Sequence, residues 1–102
     1  MRKAIKDLRA KVLTTDTQVA TGKINVWGII VFPAAGTSGT VVLYNEADAS
    51  KTAAKRVAAL RVSYAATETA SKEVMFTRPL LCEAGLYADM EGTNAVVYIY
   101  VD

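Results

Sequence analysis

The feature that most constrains this chain is a succession of short β-branched and aromatic runs, each cut off by turn-forming residues before it grows longer. Residues 23–32, Lys-Ile-Asn-Val-Trp-Gly-Ile-Ile-Val-Phe, are one such run. With period-two alternation, Ile24, Val26, Ile30 and Phe32 share one face with Gly28 between them, and Trp27, Ile29 and Val31 share the other. Apolar residues on both faces predict a strand covered on two sides. Pro33 ends the run, because it has no N–H to give to a ladder, and the Ala/Gly/Thr/Ser stretch 34–39 is a loop. Residues 40–44, Thr-Val-Val-Leu-Tyr, form a second strand. Its spacing from the first fits an antiparallel hairpin with a longish connection.

The same grammar continues to the end of the chain. Residues 73–78 read as a short strand halted by Pro79, 80–84 as a bend, and 85–90 as the next strand. A Glu91-Gly-Thr-Asn turn then joins that strand to a final, paired one at 95–101. In the last strand Val97, Ile99 and Val101 face one way and Val96, Tyr98 and Tyr100 the other. Two stretches are ambiguous. In 3–13, Ala4, Ile5, Leu8, Val12 and Leu13 approximate a helical stripe, whereas the threonines of 12–19 favour extended chain. Residues 47–60 have helical propensity, but Leu60, Val62 and Tyr64 alternate with Arg61 and Ser63. The reading adopted is a loop with a helical turn over 47–55 and a strand over 56–64. Seven or eight short strands result, with turns every 8 to 12 residues or so. They predict an all-β fold: a single antiparallel β-sandwich, jelly-roll-like, over residues 1–102, with 1–13 able to act as an N-terminal arm.

A length of 102 residues suits one core. The longest apolar run, 26–32, is far short of the roughly 20 residues a membrane helix needs. The charges at Lys6, Asp7, Arg9 and Lys11 interrupt any signal-peptide core. A net charge of +2 makes no case for nucleic acid. The charge is uneven, however: Arg2, Lys3, Lys6, Arg9 and Lys11 crowd the start against Asp7 alone. They read as a solvated first strand or as an arm that docks on an acidic partner surface.

The chemistry of catalysis is thin. The chain has no histidine, which removes Ser-His-Asp, Cys-His and histidine metal sites together. The single cysteine, Cys82, forms no internal disulfide and reads as a buried structural thiol. No phosphate-binding glycine loop occurs. Glu83, Asp89 and Glu91 are the nearest approach to a carboxylate pair and read as solvated turn charges. Asn45, Glu46 and Asp48 form a short acidic cluster without the EF-hand pattern, and a capped turn is the better reading. The expectation is therefore a non-enzyme with no catalytic residues, no cofactor and no metal.

Among the aromatics, Trp27, Phe32, Tyr44, Tyr64, Phe76 and Tyr87 sit at strand positions with apolar neighbours and read as core. Tyr98 and Tyr100 differ. They form an outward row on the last strand and are candidate subunit contacts beside Arg2, Lys3, Lys6, Arg9 and Lys11.

Read together, "VWGIIVFPAAGTSGTVVLYNEADASKTAAKRVAALRVSYA" and "FTRPLLCEAGLYADMEGTNAVVYIYVD" resemble a group of small tailed-phage virion proteins. The shared pattern is an early strand with a glycine, an Ala/Gly loop, a "TVTLY"-type strand, an Ala/Ser-rich excursion, a proline followed by a "GLY" strand, and a last alternating strand with tyrosine. The basic start and Cys82 depart from it. The resemblance implies a β-sandwich structural subunit of the virion, made in the bacterial cytoplasm. Its implied place is a capsid cement or decoration protein bound between major capsid subunits, or a neck, tail or fibre component. It also implies a homo-oligomer, a trimer among the options, with a terminal edge strand free to pair with a neighbour. Two other classes are a carbohydrate or host-surface binding module and a single-strand nucleic-acid barrel using the basic arm.

Overall fold

The computed structural model describes residues 8–32, 38–63, 72–92 and 95–102. The breaker-punctuated runs become eight strands: β1 (Arg9–Leu13), β2 (Thr17–Ala20), β3 (Ile24–Phe32), β4 (Ser38–Tyr44), β5 (Arg56–Ser63), β6 (Lys72–Cys82), β7 (Leu86–Gly92) and β8 (Val96–Val101). Every strand pairing is antiparallel. One sheet has the order β1-β8-β3-β6 and the other β2-β7-β4-β5. That is the strand order of a jelly roll. The thinnest dimension of the molecule, 19 Å, is that of two layers facing each other about 10 Å apart.

This order overturns two sequence expectations about partners. The proposed hairpin of 23–32 with 40–44 does not form, since β3 and β4 lie in opposite sheets, and the proposed pairing of 85–90 with 95–101 fails in the same way. β7 pairs with β2 and β4, whereas β8 pairs with β1 and β3. Alternation determines which face of a strand is buried but carries nothing about which strand lies beside it. Among the described residues, the one hairpin of consecutive strands in a sheet is β4–β5. Its connection holds a 3-10 turn at Ala53–Lys55, as the loop-with-turn reading of 47–55 expects. Tyr64, the last residue of the expected strand, lies outside the described residues.

The core fills the space between the sheets. Val26, Ile29 and Val31 of β3 meet Val97, Ile99 and Val101 of β8 from one layer, while Val41, Leu43 and Leu86 meet them from the other. Each side chain of this size contributes roughly 1.5–3 kcal/mol on burial. In β8 the burial alternates without exception, as its sequence predicts. In β3 it does not. Ile24 and Val26 point inward, but so do Ile29 and Val31, because the register slips between Val26 and Gly28. The extra residue of that bulge reverses the phase of everything after it, so Ile30 and Phe32 turn outward and not in with Ile24.

Pro79 does not halt its strand. β6 runs on to Cys82, and the register between Val26↔Leu80 and Gly28↔Met75 absorbs residues 76–79 on the β6 side. β6 is an edge strand, where a bulge tolerates a residue with no N–H. The helical stripe of 3–13 is not the conformation of its second half: Arg9–Leu13 is β1, an edge strand on β8. Residues 1–7 lie outside the described residues.

Gly85, in the turn between β6 and β7, has φ +148°, and a Cβ there would stand 2.7 Å from the Ala20 carbonyl oxygen and 2.8 Å from that of Glu46. Only glycine fits a backbone so placed.

Candidate functional site

The two outer faces of the sandwich are built differently. On the β2-β7-β4-β5 sheet, the outward Val42, Tyr44 and Tyr87 form a second buried cluster. The chain covers them itself. The Arg56 guanidinium lies 6.0 Å from the centre of the Tyr44 ring. Lys51, in the β4–β5 connection and at φ 55°, reaches Asp89 on β7 at 3.3 Å and Asp16 at 3.8 Å. Asp16 in turn accepts the Met90 N–H at 2.7 Å. The hydrogen bond to Asp89 holds the Lys51 ammonium above its usual pKa. Burial, with Asp16 nearby, pushes the Tyr87 phenol up.

The outer face of the β1-β8-β3-β6 sheet has no such cover among the described residues. Alternation puts Val96, Tyr98 and Tyr100 outward on β8. Val12 stands opposite Tyr98 on β1, with Ile30 and Phe32 opposite Tyr98 and Val96 on β3. Met75 of β6 lies opposite Gly28, and Leu81 opposite Asn25 at the far end. The large apolar side chains that remain exposed are Val12 at 56%, Leu81 at 45%, Phe32 at 41% and Met75 at 38%. All four fall on this face. Isolated exposed apolar residues are ordinary, and what distinguishes these four is that they share one sheet face. The Phe32 and Tyr98 rings meet edge to face with centroids 5.5 Å apart in the middle of this face, the arrangement that aromatic pairs favour. At one end Asp102 accepts from the Trp27 indole N–H at 3.2 Å and from the Asn25 amide at 3.1 Å.

The sequence candidates are therefore divided. Tyr98 and Tyr100 are half-buried and point outward on the bare face. However, β8 is a central strand, not the edge strand expected of the terminus. Arg9 and Lys11 fall in phase with inward-facing Leu13, on the opposite side of β1 from the tyrosines, where charges blunt the edge against further pairing. Arg2, Lys3 and Lys6 lie outside the described residues. Of the carboxylates, Glu83 is exposed and Asp89 is tied to Lys51, while the Glu91 side chain lies outside the described residues. Cys82 is a buried free thiol, its pKa raised by burial. Glu46 and Asp48 cap their own turn, whereas Asn45 caps the one between β6 and β7. Asn45 accepts the Ala84 N–H, Asp48 that of Ser50 and Glu46 that of Thr52. Among the described residues, no three His, Cys, Asp or Glu side chains are grouped to hold a metal.

Sequence reasoning took Phe32 for core, left Met75 and Leu81 without a role, and set Val12 in an apolar helical stripe. The bulge in β3 hid the first. The second and third needed the knowledge that β6 runs through Pro79, and Val12 needed the identity of its partner strand.

Comparison with protein-family models, curated proteins and solved structures returns no match.

Proposed function

We propose that this chain is a non-enzymatic structural subunit that joins a larger assembly through the outer face of its β1-β8-β3-β6 sheet. The assembly proposed is a tailed-phage virion, where the chain acts as a capsid cement or decoration protein bound between major capsid subunits. The observation that carries the reading is the asymmetry of the two outer faces among the described residues, one roofed by the chain's own β4–β5 connection and the other carrying exposed apolar side chains around an aromatic pair. Burying such a face drives association without any cofactor or charged chemistry. Repetition over a lattice turns a modest patch into a strong attachment. The jelly-roll strand order adds an analogy of fold only, since such rolls recur in viral capsid and lectin domains.

The edges of the sheets argue for face contacts over strand addition. β1 carries Arg9 and Lys11, β5 carries Arg56 and Arg61, β6 is bulged around Pro79, and β2 is only four residues long. These are the devices by which an edge refuses a neighbour.

Sedimentation of the purified chain between about 0.15 and 1 M salt tests the contact. A homo-oligomer, a trimer being the form to look for, that persists at high salt and dissociates on Tyr98→Glu supports it. A monomer that leaves the face bare at all concentrations, together with no immunogold labelling of particles released by the producing cells, overturns it. Label on heads supports decoration, and label on necks or tails moves the subunit there. Binding of the monomer to a glycan array replaces the reading with that of a carbohydrate module.

A further inference from the structure

We infer that the β4–β5 connection is a binding site for a hard divalent cation of the calcium class, anchored by the buried carboxylate of Glu46. The inference is independent of the assembly role, because the connection lies on the other sheet.

The loop is held in shape before any ligand arrives. Its base is closed by the Asn45 N–H donating to the Lys55 carbonyl at 2.8 Å and the Lys55 N–H to that of Thr52 at 2.9 Å. From outside, the Gln18 amide donates to the Glu46 carbonyl at 2.8 Å, and the Asn45 side chain accepts the Ala84 N–H. A loop so fixed spends little ordering entropy on binding.

Within it, Glu46 is unusual. Its side chain is only 4% exposed, yet Oε1 accepts the Thr52 N–H while Oε2 is buried with no hydrogen-bond partner among the described residues. A buried carboxylate oxygen without a hydrogen-bond partner is costly, and a bound ion is one way in which such an atom is satisfied.

A pocket of about 350 Å³ lies against this residue, lined also by Asp48, Ser50, Thr52, Lys55 and Ala84. Oxygen-bearing side chains thus recur at 46, 48, 50 and 52, the alternate-residue spacing by which calcium loops turn successive oxygens toward one ion. Asp48 is exposed, and its Oδ1 accepts the Ser50 N–H at 3.0 Å, which sets the carboxylate beside Ser50 at the pocket. Lys51 turns away to Asp89 and Asp16. Among the described residues Lys55 alone brings positive charge to the lining, against two carboxylates. Two carboxylates with neutral oxygens, and room for waters, make a weak calcium site, with a Kd on the order of 10⁻⁴–10⁻³ M. Magnesium, which demands a tighter octahedral shell, binds less well.

Calorimetric titration and thermal melting of the full chain in CaCl₂, with MgCl₂ at matched ionic strength, test the site. The expected result is a saturable heat and a rise in Tm of a few degrees at about 10 mM calcium, smaller with magnesium. Lys55→Gln tightens binding severalfold, and the exposed-side variants Asp48→Asn and Ser50→Ala, which leave the core untouched, weaken it by about tenfold. Glu46→Gln abolishes binding while the protein stays folded by circular dichroism. Absence of any calcium-specific heat or Tm shift in both the wild type and Lys55→Gln overturns the site. So does a shift equal in magnesium and undiminished in Asp48→Asn, which is salt screening.

Discussion

Gly28 sits in the β3 bulge with the Met75 side chain laid across it. An added Cβ would fall 2.2 Å from the Met75 sulfur and 3.0 Å from the Val74 carbonyl oxygen. The sulfur is the end of a flexible chain and gives way, whereas the carbonyl does not. Gly28→Ala should therefore cost about 1 kcal/mol in urea unfolding. Adding Met75→Ala should restore more than half of that, a non-additivity that reports the contact. Cys82 makes a second residue-scale case. Burial raises its thiol pKa above the ordinary 9.0, so the native state keeps a proton that the unfolded chain gives up. That contribution to stability is whole below pH 9.0 and is lost as pH climbs toward the raised native value. Tm of the wild type should fall faster above pH 9.0 than that of Cys82→Ala. Parallel Tm–pH curves would refute the burial. Cys82 as a buried thiol was legible in sequence from its apolar flank. The burial of Glu46 was not, because glutamate is rarely buried and nothing local to it announces the pocket.

At the scale of elements, the β4–β5 connection behaves as a roof. Lys51 holds it to the sheet through two carboxylates from different parts of the chain, Asp16 before β2 and Asp89 in β7. The ammonium is itself exposed, so its removal should loosen the roof without unfolding the sandwich. Hydrogen exchange of Lys51→Ala should speed at the Ser50 and Thr52 amides, whose acceptors are the Asp48 and Glu46 carboxylates. Amides of β3 and β8 should keep wild-type protection. Unchanged exchange at 50 and 52 would show that the cap hydrogen bonds hold the loop alone. The β8 pattern was readable because six uninterrupted residues alternate against a single core. The β3 pattern was readable only as far as Trp27, since a bulge adds a residue that no side-chain property marks.

For the whole molecule, the bare sheet face and the core make separable demands. Val12 is 56% exposed and lies outside the core cluster, so Val12→Lys should shift unfolding free energy by no more than about 0.5 kcal/mol. If the chain associates through this face as proposed, the combination with Phe32→Ser should weaken that association at least tenfold by sedimentation, because a polar group and a charge then replace apolar side chains at its middle and edge. Loss of folding with association would place these side chains in the core and not at a contact.

The sequence by itself determined the strands, the all-β class, and the inward row of Val97, Ile99 and Val101. Those depend on local properties: alternation with period two, β-branched and aromatic content, and turn residues that stop each run. The tertiary structure alone decided the partners and the phases. It set β7 and β8 in opposite sheets, carried β6 through Pro79, and turned Phe32 outward beyond the bulge. It also buried the aromatic cluster on one outer face and left Val12, Phe32, Met75 and Leu81 exposed on the other. Pairing is a contest among all strands for the same backbone groups, settled by how two layers close over one core, and no single run of residues contains its outcome.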